Sequence, residues 1–178
     1  MIRWEAIRCR LGAAMMAVRD NRGVCWLSFA DTLNDFGQHQ QWLSQLFPET
    51  ESGAARLYRD PGLRSDLEAI LDAAEAGKSP PELPLDLLGT PFQMQVWSAL
   101  GKIAAGTTQS YAAVARELGQ PGAVRAVARA CARNRVALLI PCHRVIGADG
   151  RLRGYRWGIH RKQQLLDWEQ QKVSVEML

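Results

Sequence analysis

Long apolar runs are missing from this 178-residue sequence: no stretch reaches eighteen apolar residues, so no membrane-spanning helix is expected. The amino-terminal MIRWEAIRCR also lacks the apolar core of a secretion signal, and the cytoplasm is the expected location. Cysteine is scarce and unpaired. Cys9, Cys25, Cys131 and Cys142 include no CxxC, which argues against a disulfide framework and against most structural zinc sites. There is no glycine-rich phosphate loop and no cluster of metal ligands, so neither a metal nor another cofactor is expected. Internal repeats and low-complexity tracts are lacking too. What is there, 47% apolar and 22% charged residues, is ordinary for a globular protein able to bury a core.

Acidic residues are short in one half only. Residues 90–178 carry 5 Asp+Glu against 13 Lys+Arg, a balance of +8, whereas residues 1–89 carry 13 against 9, a balance of −4. Arginine dominates the basic half, and its planar fork suits phosphate and base contacts better than a lysine ammonium does. A polyanionic partner for the carboxy-terminal half is one reading and a solvated basic face is the other.

The pattern of elements is mixed. Ile7 to Val18 and Val24 to Phe29 are β-prone and flank the turn-forming Asp20-Asn21-Arg22-Gly23, which predicts an opening hairpin. A short helix is expected around Phe36 to Leu46. Asp60-Pro61 has the form of an N-cap and first helical residue, followed by Leu63, Leu67, Ile70 and Leu71 at helical spacing and by Gly77 as a stop. Three prolines in Lys78 to Pro84 (KSPPELP) forbid a continuing helix and predict an extended connector. The expected division is an N-terminal structural domain over 1–84 and a C-terminal domain over 85–178. Thr90-Pro91 then caps a helix with Phe92, Val96, Trp97 and Leu100 facing a core. The expected class is α/β (α+β), with a small sheet-and-helix N-terminal domain and a mostly helical C-terminal one.

Ser110 to Gly119 (SYAAVARELG) reads as a helix with Ser110 as N-cap and Tyr111, Val114, Ala115 and Leu118 on one face. Past Gly119-Gln120-Pro121, Ala123 to Arg133 reads as a thin second helix. Alanine and valine alternate there with Arg125, Arg129 and Arg133, four residues apart and so on one side. Two helices joined by a short glycine-containing turn have the shape of a helix-turn-helix, whose second helix enters a DNA groove; an alanine-rich helical hairpin inside an ordinary core has the same pattern.

The stretch LLIPCHRVIG, Leu138 to Gly147, sets a thiol, an imidazole and a guanidinium in a row inside an apolar run. Leu138 to Ile140 is fit for a buried strand, and Pro141 should end it where Cys142 begins. A thiol of pKa about 8.5 is only a few per cent thiolate at neutral pH, so a base nearby matters, and His143 is the candidate. Adjacent side chains on a strand face opposite ways, so the two cooperate only if the chain turns or a water bridges them. A base needs an orienting partner, the acidic residues downstream are Asp149, Asp167, Glu169 and Glu176, and Glu169, on a helix suggested by Lys162 to Glu169, could reach back. Read from these residues alone, Cys-His adjacency is weak evidence for catalysis because many such dipeptides are structural, and a zinc site of Cys131, Cys142 and His143 is disfavoured by its spacing.

Ile140 to Val145 (IPCHRV), with Ser110-Tyr111, AVRAVA (Ala123 to Ala128) and Asn134 before it and GYRWG (Gly154 to Gly158), Leu165-Leu166 and Glu169 after it, resembles the O6-alkylguanine-DNA alkyltransferases, over roughly Leu83 to Glu169. Within that family the chain is most similar to the branch represented by the C-terminal domain of the bacterial Ada protein. The resemblance implies an RNase H-like N-terminal domain and a winged-helix-like C-terminal domain that binds duplex DNA through the minor groove, as a monomer and without cofactor. It implies that Cys142 accepts the alkyl group of O6-methylguanine, and of O4-methylthymine, once and irreversibly, after the nucleotide is flipped out.

By the same resemblance, His143 acts as a water-assisted base, Glu169 orients it, Tyr111 protonates the departing guanine, and Asn134 ties the second helix to the active-site loop. Arg125 is similar to the arginine that replaces the extruded nucleotide, with Ala126 and Ala130 small enough for a groove and Ser110, Arg129 and Arg133 as further DNA contacts. Pro141, Val145, Tyr155, Arg156 and Trp157 are expected to form the substrate pocket, the Trp157 indole narrowing it in favour of methyl adducts. Residues 1–89 contain only Cys9 and Cys25, so the metal-binding phosphotriester function of full-length Ada is not implied. The alternatives are a non-catalytic sensor of alkylguanine, disfavoured by the presence of Cys142, and a thiol hydrolase using Cys142 and His143.

Overall fold

A computed structural model describes residues 1–48 and 57–176. The chain opens as an antiparallel meander of β1 (Ile2–Cys9), β2 (Gly12–Arg19) and β3 (Gly23–Ala30). A short β4 (Leu57–Arg59) runs parallel to β1 at the far edge, so the strand order is β3-β2-β1-β4. The hairpin expected at Asp20 to Gly23 is the β2–β3 turn. Ile7 to Val18, however, is not one β segment: it breaks at Arg10-Leu11 into the end of β1 and most of β2, the turn closing on Gly12 at φ +102°.

Helix α1 (Gly37–Leu46) follows a one-turn 3-10 segment capped by Thr32, and α2 (Arg64–Glu75) follows another capped by Asp60, whose carboxylate accepts from the Gly62 amide. Leu63, Leu67, Ile70 and Leu71 are buried as their spacing requires. α2 packs on β1, β2 and the last helix, α6 (Ile159–Glu176). Residues 13–17 of β2 have no exposed surface, so both faces of the sheet are covered.

Between α2 and α3 (Pro91–Leu100) the connector forms no helix, and at Leu85 it bridges in parallel to the outer edge of β3. Val24 donates to Pro84 O and accepts from Asp86 N, while Leu27 donates to Arg135 O and accepts from Ala137 N. Gly23, at φ +124°, is required there: a side chain would run into the Pro84 carbonyl. Satisfying this edge fixes residues 135–137, and with them the segment that leads to the site.

In the second half, α3 is capped reciprocally by Thr90 and Gln93. α4 (Tyr111–Glu117) and α5 (Val124–Ala132) pack on each other and are joined through Gly119, at φ +70°, and a 3-10 turn over Pro121–Ala123. The second helix therefore begins one residue later than expected, and its connection is longer. Two-residue strands β5 (Gln109–Ser110) and β6 (Val145–Ile146) pair in parallel. Architecture is α+β, as expected, with buried residues of both halves in one continuous core. No described helix is long and apolar enough to cross a membrane.

Candidate active site

Leu138 to Ile140 is not the expected strand. Leu138 adopts φ +67° and the chain turns back on itself, because Asn134 offers this segment a better set of partners than a sheet ladder would. The Asn134 carboxamide oxygen accepts from Val136 N at 3.0 Å, and its nitrogen donates to Ile140 O at 2.8 Å and to Cys142 Sγ at 3.1 Å. Pro141 then leads into a 3-10 turn over Cys142–Arg144. Successive side chains on such a turn diverge by about 120° rather than 180°. The thiol accordingly faces a cavity while the imidazole faces inward.

His143 Nε2 lies 2.9 Å from Glu169 Oε1, which also accepts from Arg144 Nη2 at 2.9 Å; Glu169 Oε2 accepts from Gly106 N at 3.0 Å. Arg144, which the sequence reading left without a role, donates further to Ile103 O at 2.6 Å. Burial alone would raise the Glu169 pKa, but hydrogen bonds from His143 and Arg144 outweigh it and hold the group down at about 2. Glu169 is therefore a carboxylate, Nε2 must carry the hydrogen it donates, and the lone pair of neutral His143 is on Nδ1, which is buried and has no protein partner. Burial also keeps the imidazole pKa below its ordinary value, although Glu169 pulls the other way. Cys142 is pushed upward, first by burial, against the Asn134 hydrogen bond and the positive charges of Lys162 and Arg156.

A cavity of about 420 Å³ opens at Cys142 and is lined by Tyr111, Arg125, Cys131, Tyr155 and Arg156, among others. Arg125 is exposed at its rim, so the thiol and the arginine-bearing helix share one space. Tyr111 is buried, and burial raises its phenol to about 12, so it is a proton-bearing group at neutral pH. Its hydroxyl lies 3.4 Å from the Lys162 ammonium, which donates to Val145 O at 2.6 Å and has no exposed surface. Sequence reasoning missed Lys162; its position seven residues before Glu169, on the same helical face, was the available signal. Cys131, a second thiol on this cavity, was missed as a pocket residue for the same reason that makes it hard to see: it reads as an inward helical position.

Other expected site residues are placed differently. Val145 is fully buried and reaches the site only through its carbonyl, Pro141 lies on a separate depression formed with the connector, and neither lines the cavity. The Trp157 indole is turned away, packed edge-on against Trp26 with ring centroids 5.9 Å apart, so it does not narrow the pocket directly. Ala130 is 1% exposed beneath Trp97, whose indole donates to its carbonyl, and so cannot meet DNA: the buried face of α5 is Val127, Ala130 and Cys131. Ala126 is half-buried, and Arg129 and Arg133 are exposed but away from the cavity. Ser110 accepts from Ala113 N as the α4 cap. Among the described residues no three His, Cys, Asp or Glu side chains converge as a metal site.

Residues 91–171 match the family model described as 6-O-methylguanine DNA methyltransferase, DNA binding domain. The chain is 41% identical over 165 residues to the bifunctional transcriptional activator/DNA repair enzyme Ada of Escherichia coli, covering 93% of this chain but 44% of that protein. The chain thus spans less than half of that relative's length. It is 45% identical over 119 residues to the methylated-DNA–protein-cysteine methyltransferase of Mycobacterium tuberculosis, covering 66% of this chain and 72% of that one. The crystal structure of Mycobacterium tuberculosis OGT in complex with DNA superposes with a TM-score of 0.76 at 34% identity, over 96% of this chain and 94% of that chain.

Proposed function

The chain belongs to the methylated-DNA–protein-cysteine methyltransferase family, and from that premise we propose that it repairs DNA by moving the alkyl group of O6-methylguanine, and of O4-methylthymine, to Cys142. The observation that carries the proposal is the linked set Asn134, Cys142, His143 and Glu169 beneath a cavity whose rim holds Arg125. The protein works as a cytoplasmic monomer on duplex DNA, approached from the minor groove.

O6 of a stacked guanine is out of reach of a sulfur at the floor of a cavity, so the nucleotide must leave the helix. Arg125, exposed at the rim, takes its place in the stack, and the basic side chains Arg129 and Arg133 meet phosphate. At rest the thiol keeps its proton. On substrate binding that proton passes, through one water, to the lone pair of His143 Nδ1, and the imidazolium is held by Glu169. The sulfur attacks the alkyl carbon from the side opposite O6. One S–C bond forms, the C–O6 bond breaks, and Tyr111 delivers a proton to the departing purine beside the Lys162 ammonium.

The thioether product is not hydrolysed, so each molecule reacts once. Intact-mass spectrometry after incubation with a duplex carrying one O6-methylguanine is the test. Gain of one methylene on Cys142 is the expected result, and turnover without an adduct favours a thiol hydrolase instead.

A further inference from the structure

Arg156 is a half-buried cation on the wall of the cavity, and among the described residues it makes no ion pair. Three indoles surround its guanidinium instead: Trp157 at 4.9 Å from ring centroid to Cζ, Trp26 at 5.5 Å and Trp42 at 5.7 Å. Cationic groups over indole faces are attracted by the ring quadrupole, most strongly where water is excluded. Trp26 belongs to β3 and Trp42 to α1, so two of the three faces come from the N-terminal half.

This box is itself braced. Trp26 Nε1 donates to Ser28 Oγ at 2.7 Å, Ser28 Oγ lies 2.8 Å from His39 Nδ1, and His39 stacks on Trp42 at 5.2 Å. The loop it grips, residues 151–158, forms neither helix nor strand; its other ties include Arg151 O accepting from Gly147 N at 2.8 Å, the Arg153–Asp149 ion pair at 2.8 Å and Trp157 O accepting from Arg161 Nη1 at 2.7 Å. A wall made by an irregular loop is as firm as its anchors.

We propose that Trp26 and Trp42 are positioning residues of the alkyl-transfer site, holding Arg156 so that the N-terminal half sets how large an adduct the cavity admits. The proposal rests on the alkyl-transfer reading above. It also gives Trp157 its part in selectivity by another route than filling the pocket: the indole closes the box behind Arg156.

The experiment measures single-turnover transfer from duplexes carrying O6-methylguanine or O6-benzylguanine for wild type, Trp42→Leu, Trp42→Phe, Arg156→Met and the double variant Trp42→Leu/Arg156→Met. Trp42→Leu and Arg156→Met should each raise the benzyl-to-methyl rate ratio about tenfold, the size expected for losing a desolvated cation–π contact. Trp42→Phe, which keeps an aromatic face, should stay near wild type. The double variant should match Arg156→Met, because Trp42 acts through Arg156. A ratio unchanged or lowered in Trp42→Leu or in Arg156→Met, or additive effects in the double variant, overturns the proposal. No transfer by wild type from the methylated duplex defeats the alkyl-transfer reading itself, and the proposal with it.

Discussion

Asn134 donates to the Cys142 sulfur at 3.1 Å with the same amide nitrogen that donates to Ile140 O at 2.8 Å, so one side chain both shapes the active-site turn and stabilises the thiolate. Replacing it by alanine strands the Val136 amide in the interior, at about 1–3 kcal/mol for a buried group left unpaired, and leaves Ile140 O with only its bond from Cys142 N at 2.8 Å. Asn134→Ala should therefore lower both stability, read from chemical denaturation, and transfer rate, read from single turnovers. A variant of wild-type stability and rate would remove Asn134 from the site.

Glu169 links stability to pH. Its folded pKa of about 2 lies below the ordinary value of 4.5, so its contribution is fully present above pH 4.5 and is lost as pH falls toward 2. The shift corresponds to roughly 3 kcal/mol. Denaturation midpoints followed from pH 6 to pH 2 should show this decline in wild type and a flatter, lower profile in Glu169→Gln, which also leaves Arg144 buried without its carboxylate.

His143 is kept neutral by burial, so protonation should switch the base off only below the ordinary imidazole range. The acid limb of the single-turnover rate profile is expected below pH ~6.5. A limb at or above that value would mean that the Glu169 carboxylate dominates the imidazole and burial does not.

Tyr111 bears its proton at neutral pH because burial lifts its pKa to about 12. Tyr111→Phe should slow transfer by about 10²–10⁴, the usual scale of a lost general acid, with little effect on unfolding. The hydroxyl's one described partner, Lys162 Nζ at 3.4 Å, keeps its shorter bond to Val145 O.

Arg125→Ala separates extrusion from chemistry. Because the side chain is at the rim and not against the sulfur, transfer from duplex should fall about tenfold or more while transfer from the free modified base is nearly unchanged. Equal losses on the two substrates would take the extrusion role away.

Much of the frame was legible because its signals are local. Thr90-Pro91 and Asp60-Pro61 announce helix starts through caps that act within three residues, and the spacing of Leu63, Leu67, Ile70 and Leu71 names the buried face of α2. Leu138 to Ile140 misled because apolar content reports burial, not conformation: a strand and a turn wrapped around Asn134 are equally dry. Ala130 and Trp157 misled for a related reason, since small size and indole bulk do not tell which way a side chain points.

The order of residues by itself determined the reactive groups: a thiol followed by an imidazole, a hydroxyl-capped helix leading to an arginine-bearing one, and a carboxylate on the last helix. Tertiary structure alone decided which of them meet. Glu169 reaches His143 across 26 positions, Lys162 slides under Tyr111 across 51, and Arg156 finds Trp26 and Trp42 in the other half of the chain. Such meetings depend on the angle and depth at which whole elements pack, and no short stretch of sequence carries that information.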